Sequence, residues 1–485
     1  EIALTAQIIR RLQKHFGGNI AIYHSKFNNQ ERVELWNKIR TGEVKIVLGA
    51  RSALFLPFKN LGLIIVDEEH DASYKQQAPA PRYNARDAAI YYASLFGAKV
   101  LLGTATPSLE SYFNAMQSKY GLVYLSERYG GLQLPLIEII NTSQVAQKGK
   151  VMLSPQLKEG IQKTLDSDRQ VILFQNRRGY NPYLICGVCG YIPQCIHCDV
   201  SLTLHKYSNK LHCHYCSSTY PKLITCPACG SNNWLEKNFG TEKIEEQLEE
   251  DFAANKPGGY RIARMDVDSV RGKTAHDNLI RLFEEHRLDI LVGTQMVVKG
   301  LDFDKVSLVG ILDADGLLSF ADFRAHERAF QLMEQVSGRA GRKYEQGRVL
   351  IQAVNIKHPI LQWVKEHDYE KFYNYEIANR KEFFYPPFSR IVLLILKHRD
   401  KVLVEAAAAK LALLLRQDLV SYIVGPAPPV IGRLKNQYLM ELMIKLPKET
   451  GMSLSYKKVI RNHINLMQSD KKYRAVQVVV DVDPM

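Results

Sequence analysis

Leu63-Ile64-Ile65-Val66-Asp67-Glu68-Glu69-His70 is an apolar run that ends abruptly in three acids and a histidine. A short run rich in branched side chains reads as a strand buried in a parallel sheet. Acids at the carboxyl end of such a strand stand where open α/β sheets bind ligands. Asp67 is placed to hold the Mg²⁺ of a nucleotide, and Glu68 to polarise an attacking water. A merely solvated strand end fits these residues in isolation equally well, so the surrounding sequence has to decide.

Outward from this run the same pattern repeats. Residues 20–23, 45–49 and 99–103 are further strand candidates, and 29–40 and 84–95 read as helices between them. Alternating strands and helices imply an α/β layer. A connector around 132–135 and 141–150 leads to a second series with strands at 171–175, 260–265, 290–293, 307–313 and 347–353. Tyr385-Pro386-Pro387 breaks helix and opens a last α+β unit, with strands at 391–397, 439–446 and 475–481 and helices at 401–419 and 454–466. Residues 369–385 are rich in Tyr and Phe at helical spacing, which reads as core packing.

Inside the second series sit all eight cysteines of the 485-residue chain, as four C-x-x-C knuckles: Cys186–Cys189, Cys195–Cys198, Cys213–Cys216 and Cys226–Cys229. Two residues between thiols let both sulfurs of a tight turn face one ion, and tetrahedral zinc needs four such ligands. Eight thiolates therefore read as two closed structural sites. A disulfide cluster is disfavoured, since the chain shows no secretory signal. An iron–sulfur cluster also accepts four thiolates, but uniform ribbon-like knuckles favour zinc. Spacing alone leaves three ways to pair the knuckles. His197, His212 and His214 lie nearby, but eight thiols already fill two sites.

The balance of 64 Lys+Arg against 50 Asp+Glu gives +14, which favours a polyanionic partner such as nucleic acid. No run of about twenty apolar residues occurs, which excludes a membrane-spanning helix.

Two further segments carry chemistry. Gly103-Thr104-Ala105-Thr106-Pro107-Ser108 follows a strand with small and hydroxylated residues. Gln335-Val336-Ser337-Gly338-Arg339-Ala340-Gly341-Arg342 places two arginines three apart, which reads as a shared helix face. Such arginines can stabilise charge on a transferring γ-phosphate.

With these in order, the chain resembles the superfamily-two helicases. In that resemblance Asp67–His70 is motif II, 103–108 motif III, 293–300 motif V and 335–342 motif VI, while 1–7 is similar to motif Ia. The resemblance implies that Asp67, Glu68, Gln335, Arg339 and Arg342 face ATP across a cleft between two lobes. Gly300 would also line the nucleotide side, and Thr5 and Thr294 would touch the sugar–phosphate backbone of one strand.

The cysteine insertion just after Asn176-Arg177-Arg178-Gly179-Tyr180 narrows the resemblance to the replication-restart helicases of the PriA family. Gly49-Ala50-Arg51-Ser52-Ala53-Leu54-Phe55, Gly240-Thr241-Glu242 and Gly432-Arg433-Leu434-Lys435-Asn436 fit the same family. From it comes a nested pairing: Cys186, Cys189, Cys226 and Cys229 on one zinc, and Cys195, Cys198, Cys213 and Cys216 on the other. The segment from Tyr74 through Arg82, with aromatics among Lys and Arg, is similar to the aromatic-rich loop that couples strand binding to hydrolysis.

The implied architecture is α/β: a first RecA-like lobe at 1–135, a second at 136–384 with a double Cys₄ zinc insertion at 184–232, and a small α+β domain at 385–485. The implied function is ATP-dependent 3′-to-5′ DNA unwinding at stalled forks and primosome assembly. Two structural Zn²⁺ would be present, with Mg²⁺ and ATP in the complete protein. Implied partners are forked and single-stranded DNA, primosome proteins, the replicative helicase loader and single-strand-binding protein. The implied location is the bacterial cytoplasm and nucleoid.

No G-x-x-x-x-G-K-[ST] phosphate loop occurs in the chain. Starting at Glu1, it is expected to be a fragment without that loop and without the family's amino-terminal DNA-binding domains. The competing expectation is a motor-less zinc scaffold for forked DNA and primosome proteins.

Overall fold

The computed structural model describes all residues except 1–5, 24–27, 128–130, 144–152, 176–182, 199, 206–209, 238–240, 253–258, 266–274, 298–302, 342–345 and 449–452. The chain divides into two compact units, one ending at Ser108 and a larger one starting at Leu109.

The first unit holds two parallel strand pairs. Ile20–Tyr23 lies beside Ile46–Gly49, and Leu63–Asp67 beside Lys99–Gly103, with Asp67 opposite Gly103. The helix Ala85–Phe96 starts from an Asn84 side chain that accepts the Arg86 amide, and ends at Gly97 with φ 66°. Its Ala85, Ala89 and Ala93 are buried, and Val66 is buried beneath it. Leu63, Ile65 and Leu101 alternate onto the opposite face and stay 53–63% exposed. The strand is therefore covered on one side by the described residues, not on both sides as its apolar run implied.

The second unit is built on a six-stranded parallel sheet, in the order Ile262–Met265, Ile290–Gly293, Gln170–Phe174, Val306–Ile311, Arg348–Ala353, Leu136–Asn141. Strands such as Gln170–Phe174 and Ile290–Gly293 are buried throughout, as continuous Val/Ile/Leu runs demand. The helix Leu109–Met116 belongs to this unit: its Tyr112 ring packs edge-on against Tyr369 and Tyr373.

Between Gln170–Phe174 and the helix Thr241–Phe252 the chain leaves the sheet and makes a separate five-stranded antiparallel ribbon carrying the cysteines. The last domain is built on a five-stranded antiparallel sheet, in the order Ile423–Ala427, Gln437–Pro447, Ser389–His398, Gln477–Val482, with the short strand Arg433–Leu434 paired to Gln437–Pro447. Val392, Leu394 and Leu396 face the helices Lys401–Arg416 and Ser453–Ser469, while Ile391 and Leu393 face the cysteine ribbon. Both faces are covered, which explains an unbroken apolar run where a one-sided sheet would alternate. A two-residue turn at Lys435 and Asn436, both at positive φ, closes the hairpin from Arg433–Leu434 to the next strand.

Candidate nucleotide site and metal centres

Asp67 ends its strand exposed, and the Glu68 carboxylate is 40% exposed. Glu68 takes a left-handed φ of 48°, and its amide donates to Asp67 Oδ1 at 3.1 Å. That reversal turns the next acid inward. Glu69 is 2% exposed; its carboxylate accepts the Ser108 amide at 2.6 Å, the Ser108 hydroxyl at 3.0 Å and Arg86 at 2.9 Å. Arg86 also donates to the Ser108 hydroxyl at 2.7 Å. His70 Nδ1 lies 2.8 Å from Thr104 Oγ1, which itself accepts the Thr106 amide at 3.0 Å. Of three neighbouring acids, two therefore reach solvent, Glu68 lying 3.7 Å from His70 Nδ1, and one is a buried tie to the 103–108 turn. The sequence does not single out Glu69 and Arg86 as this buried tie, since nothing in their local pattern separates them from their neighbours.

Tyr74 is half-buried, and its hydroxyl donates to the Asp67 carbonyl at 2.6 Å. Burial, and then the Asp67 charge, push its hydroxyl up to about 12. The loop beyond Tyr74 is tied by backbone carbonyls. The nearly buried Lys75 ammonium donates to the Arg82 carbonyl at 2.8 Å, and Gln76 to those of Pro79 and Pro81, each at 2.9 Å. Arg51 donates to the Lys75 carbonyl at 2.6 Å, which joins the 49–55 motif to this loop.

In the second unit, Thr294 is buried just after the strand Ile290–Gly293. Gly293 leaves no room for a side chain against Val297 and the Met265 carbonyl. Gln335 lies half-buried on the helix Ala325–Ser337. That helix ends at Ser337, so Arg339, 8% exposed, sits in the following turn. The reading of Arg339 on a helix face is thereby corrected: the chain leaves the helix and passes through Gly341 at φ 67°, whose amide donates to the Val306 carbonyl at 3.0 Å. Thr5, Gly300 and Arg342 lie outside the described residues.

A buried charge network anchors the start of the helix Ala325–Ser337. Glu327 accepts the Leu109 amide at 2.9 Å and Arg380 at 2.9 Å. Arg324 donates to Glu110 at 2.6 Å, and Arg380 to Glu376 at 3.2 Å.

The cysteines form two groups, Cys186, Cys189, Cys226 and Cys229, and Cys195, Cys198, Cys213 and Cys216. This is the nested pairing. Within each group the sulfurs lie within 4.8 Å of one another, with Cys186–Cys229, Cys189–Cys226 and Cys195–Cys216 each at 3.6 Å. A zinc tetrahedron with bonds of about 2.3 Å has sulfur–sulfur edges of roughly 3.8 Å, whereas a disulfide needs about 2.05 Å. The donors therefore fit zinc. Three knuckles close on a positive-φ residue just after the second cysteine: Gly190, Ser217 and Gly230.

No described helix is long and apolar enough to cross a membrane.

Four family descriptions match in order: DEAD/DEAH box helicase over residues 1–114, PriA DNA helicase Cys-rich region over 195–221, helicase conserved C-terminal domain over 238–344, and primosomal protein N C-terminal domain over 381–485. The chain is 40% identical over its whole length to the replication restart protein PriA of Bacillus subtilis, of which it covers 59%. It is 38% identical to that of Chlamydia pneumoniae, covering 64%, and 36% identical to that of Treponema pallidum, covering 71%. The chain thus spans about three fifths of the length of the first two relatives. With its RecA-like helicase lobes, cysteine-rich region and C-terminal domain, it belongs to the PriA family of replication restart helicases.

Proposed function

We propose that this chain supplies the motor of an ATP-dependent 3′-to-5′ DNA helicase that acts at forked DNA and starts primosome assembly. The observation that carries the reading is the division of labour in the acidic cluster. Asp67 and Glu68 are open to solvent at a strand end, while Glu69 is locked onto Ser108. In this reading Asp67 orients Mg²⁺ and Glu68 takes the proton of the attacking water. Gln335, Arg339 and Arg342 serve the γ-phosphate, and Gly300 lines the same nucleotide. Thr5, Thr294 and Arg82 meet the DNA backbone, and Tyr74 reports on that contact through Asp67. The +14 charge supports a polyanionic partner.

Each four-cysteine group holds one Zn²⁺ in this proposal, in a structural role because four thiolates leave no open position. The primosome proteins, helicase loader and single-strand-binding protein are further partners of the complete protein, which works in the bacterial cytoplasm and nucleoid.

The test uses the full-length protein with Mg²⁺, ATP and a synthetic fork. Asp67→Asn and Glu68→Gln should each lower DNA-stimulated ATP hydrolysis by at least about a hundredfold. Turnover within twofold of the parent in both variants would remove the motor assignment.

A further inference from the structure

The two cysteine groups have different surroundings. The group of Cys195, Cys198, Cys213 and Cys216 lies inside a hydrophobic core shared with the last domain. Cys195, Cys198 and Cys213 are 2–3% exposed, and they cluster with Tyr385, Ile391 and Met443. Polar bonds pin the same knuckles to the last domain. Tyr385 donates to the Cys198 carbonyl at 2.9 Å, and Ser217 to the Pro426 carbonyl at 3.0 Å. His214 Nδ1 sits 3.0 Å from the Pro428 carbonyl. The Tyr215 backbone lies against Gly425, which could carry a side chain only by crowding the Glu441 carbonyl.

The other group has different neighbours. Cys186 and Cys226 are buried, but Cys229 is exposed and Cys189 half-exposed, so this group opens to solvent on one side. Gly190, beside Cys189, lies tight against Asn355, and Ile185 packs on Val354, just past the strand Arg348–Ala353. This outer group lies beside the helicase sheet, whereas the inner group carries the contacts to the C-terminal sheet, with Phe323 also in its core and the Phe323 amide donating to the Tyr215 hydroxyl at 3.4 Å.

We propose that the inner centre is the fastener of the C-terminal domain: its metal holds the ribbon face on which the sheet Ser389–His398, Gln437–Pro447 and Ile423–Ala427 is seated. The outer centre can lose its metal with that sheet still in place. The inference rests on the zinc assignment above and assigns the two ions separate work. Its physical basis is that one ion ties the knuckle Cys195–Cys198 to the knuckle Cys213–Cys216, and both knuckles form the core on which the sheet rests, so loss of those four bonds frees the two halves of that face from one another.

The test is amide hydrogen exchange of the full chain together with metal analysis. Chelation of the parent protein should proceed in two phases, the exposed outer group first. Exchange in the strands Ser389–His398, Ile423–Ala427 and Gln437–Pro447 should stay protected through the first phase and quicken about tenfold or more with the second. Cys229→Ser should retain one zinc and full protection of those strands. Cys216→Ser should retain one zinc and lose the protection, with exchange in Ile290–Gly293 unchanged as a control for global unfolding. Two zinc ions bound, but protection indifferent to which leaves, would overturn the inference alone. A parent protein without zinc would overturn the metal assignment and this inference with it.

Discussion

Glu69 holds Ser108 by two bonds at once, accepting its amide at 2.6 Å and its hydroxyl at 3.0 Å. Arg86 closes the triangle from a third side, and all three residues are at most 7% exposed. A buried carboxylate that loses its cation keeps its desolvation cost without compensation, typically about 3–5 kcal/mol. Arg86→Ala is therefore expected to destabilise the first unit by that order. Urea unfolding followed by exchange protection in the strand Leu63–Asp67 measures it, and a shift below about 1 kcal/mol would mean the tie is dispensable.

In the second unit, Glu110, Glu327 and Glu376 surround Arg324 and Arg380. Arg380 is 1% exposed and also donates to the Pro386 carbonyl at 3.1 Å. Arg380→Met removes one of two guanidiniums facing three carboxylates and should cost about 3–5 kcal/mol. Adding Glu327→Gln should recover part of that loss, because fewer uncompensated charges remain buried. A double variant that simply adds the two single effects would show that they do not form one network.

How much of this was legible beforehand varies by residue. The parallel strands of the large sheet were readable because strands buried on both faces are nearly all Val, Ile and Leu. Leu136–Asn141 was not read, since it is an edge strand with Glu138 in its middle. Its strand character comes from distant pairing with Arg348–Ala353 and from an Arg348–Glu138 bond of 2.6 Å. The cysteine knuckles announced the metal centres through spacing alone, whereas their nested grouping came from the family resemblance. Glu69 and Glu68 are the same amino acid side by side, and only the left-handed turn at Glu68 decides which one is buried. The end of the arginine helix at Ser337 was equally hidden, because Gly338 and Gly341 permit a turn without demanding one.

His358 accepts the Ile360 amide through Nδ1 and packs edge-on against His326. Burial, then the His326 charge, push its ring down to about 3 from an ordinary 6.5. A depressed histidine stays neutral when folded but takes a proton when unfolded. Its contribution is thus intact above pH 6.5 and is lost as pH falls toward 3. His358→Asn keeps a capping acceptor without the titration. Between pH 6.5 and 5 the parent should lose up to about 2 kcal/mol more stability than this variant, by denaturant titration. Parallel pH profiles would contradict this.

Tyr74 connects the aromatic-rich loop to the acidic strand through a single hydroxyl, donated to the Asp67 carbonyl at 2.6 Å. Tyr74→Phe keeps the ring and deletes only that bond, worth about 1 kcal/mol, or roughly fivefold in a rate that depends on it. If the loop senses bound DNA and passes the signal through Asp67, DNA-stimulated hydrolysis by the full-length protein should fall by that factor while turnover without DNA holds. Arg82→Ala should weaken DNA binding instead, because the Lys75 tie uses only the Arg82 carbonyl and survives the substitution. The split between the two variants separates signalling from binding. Equal losses with and without DNA in Tyr74→Phe would instead make Tyr74 a structural support of the acidic strand, with no part in coupling.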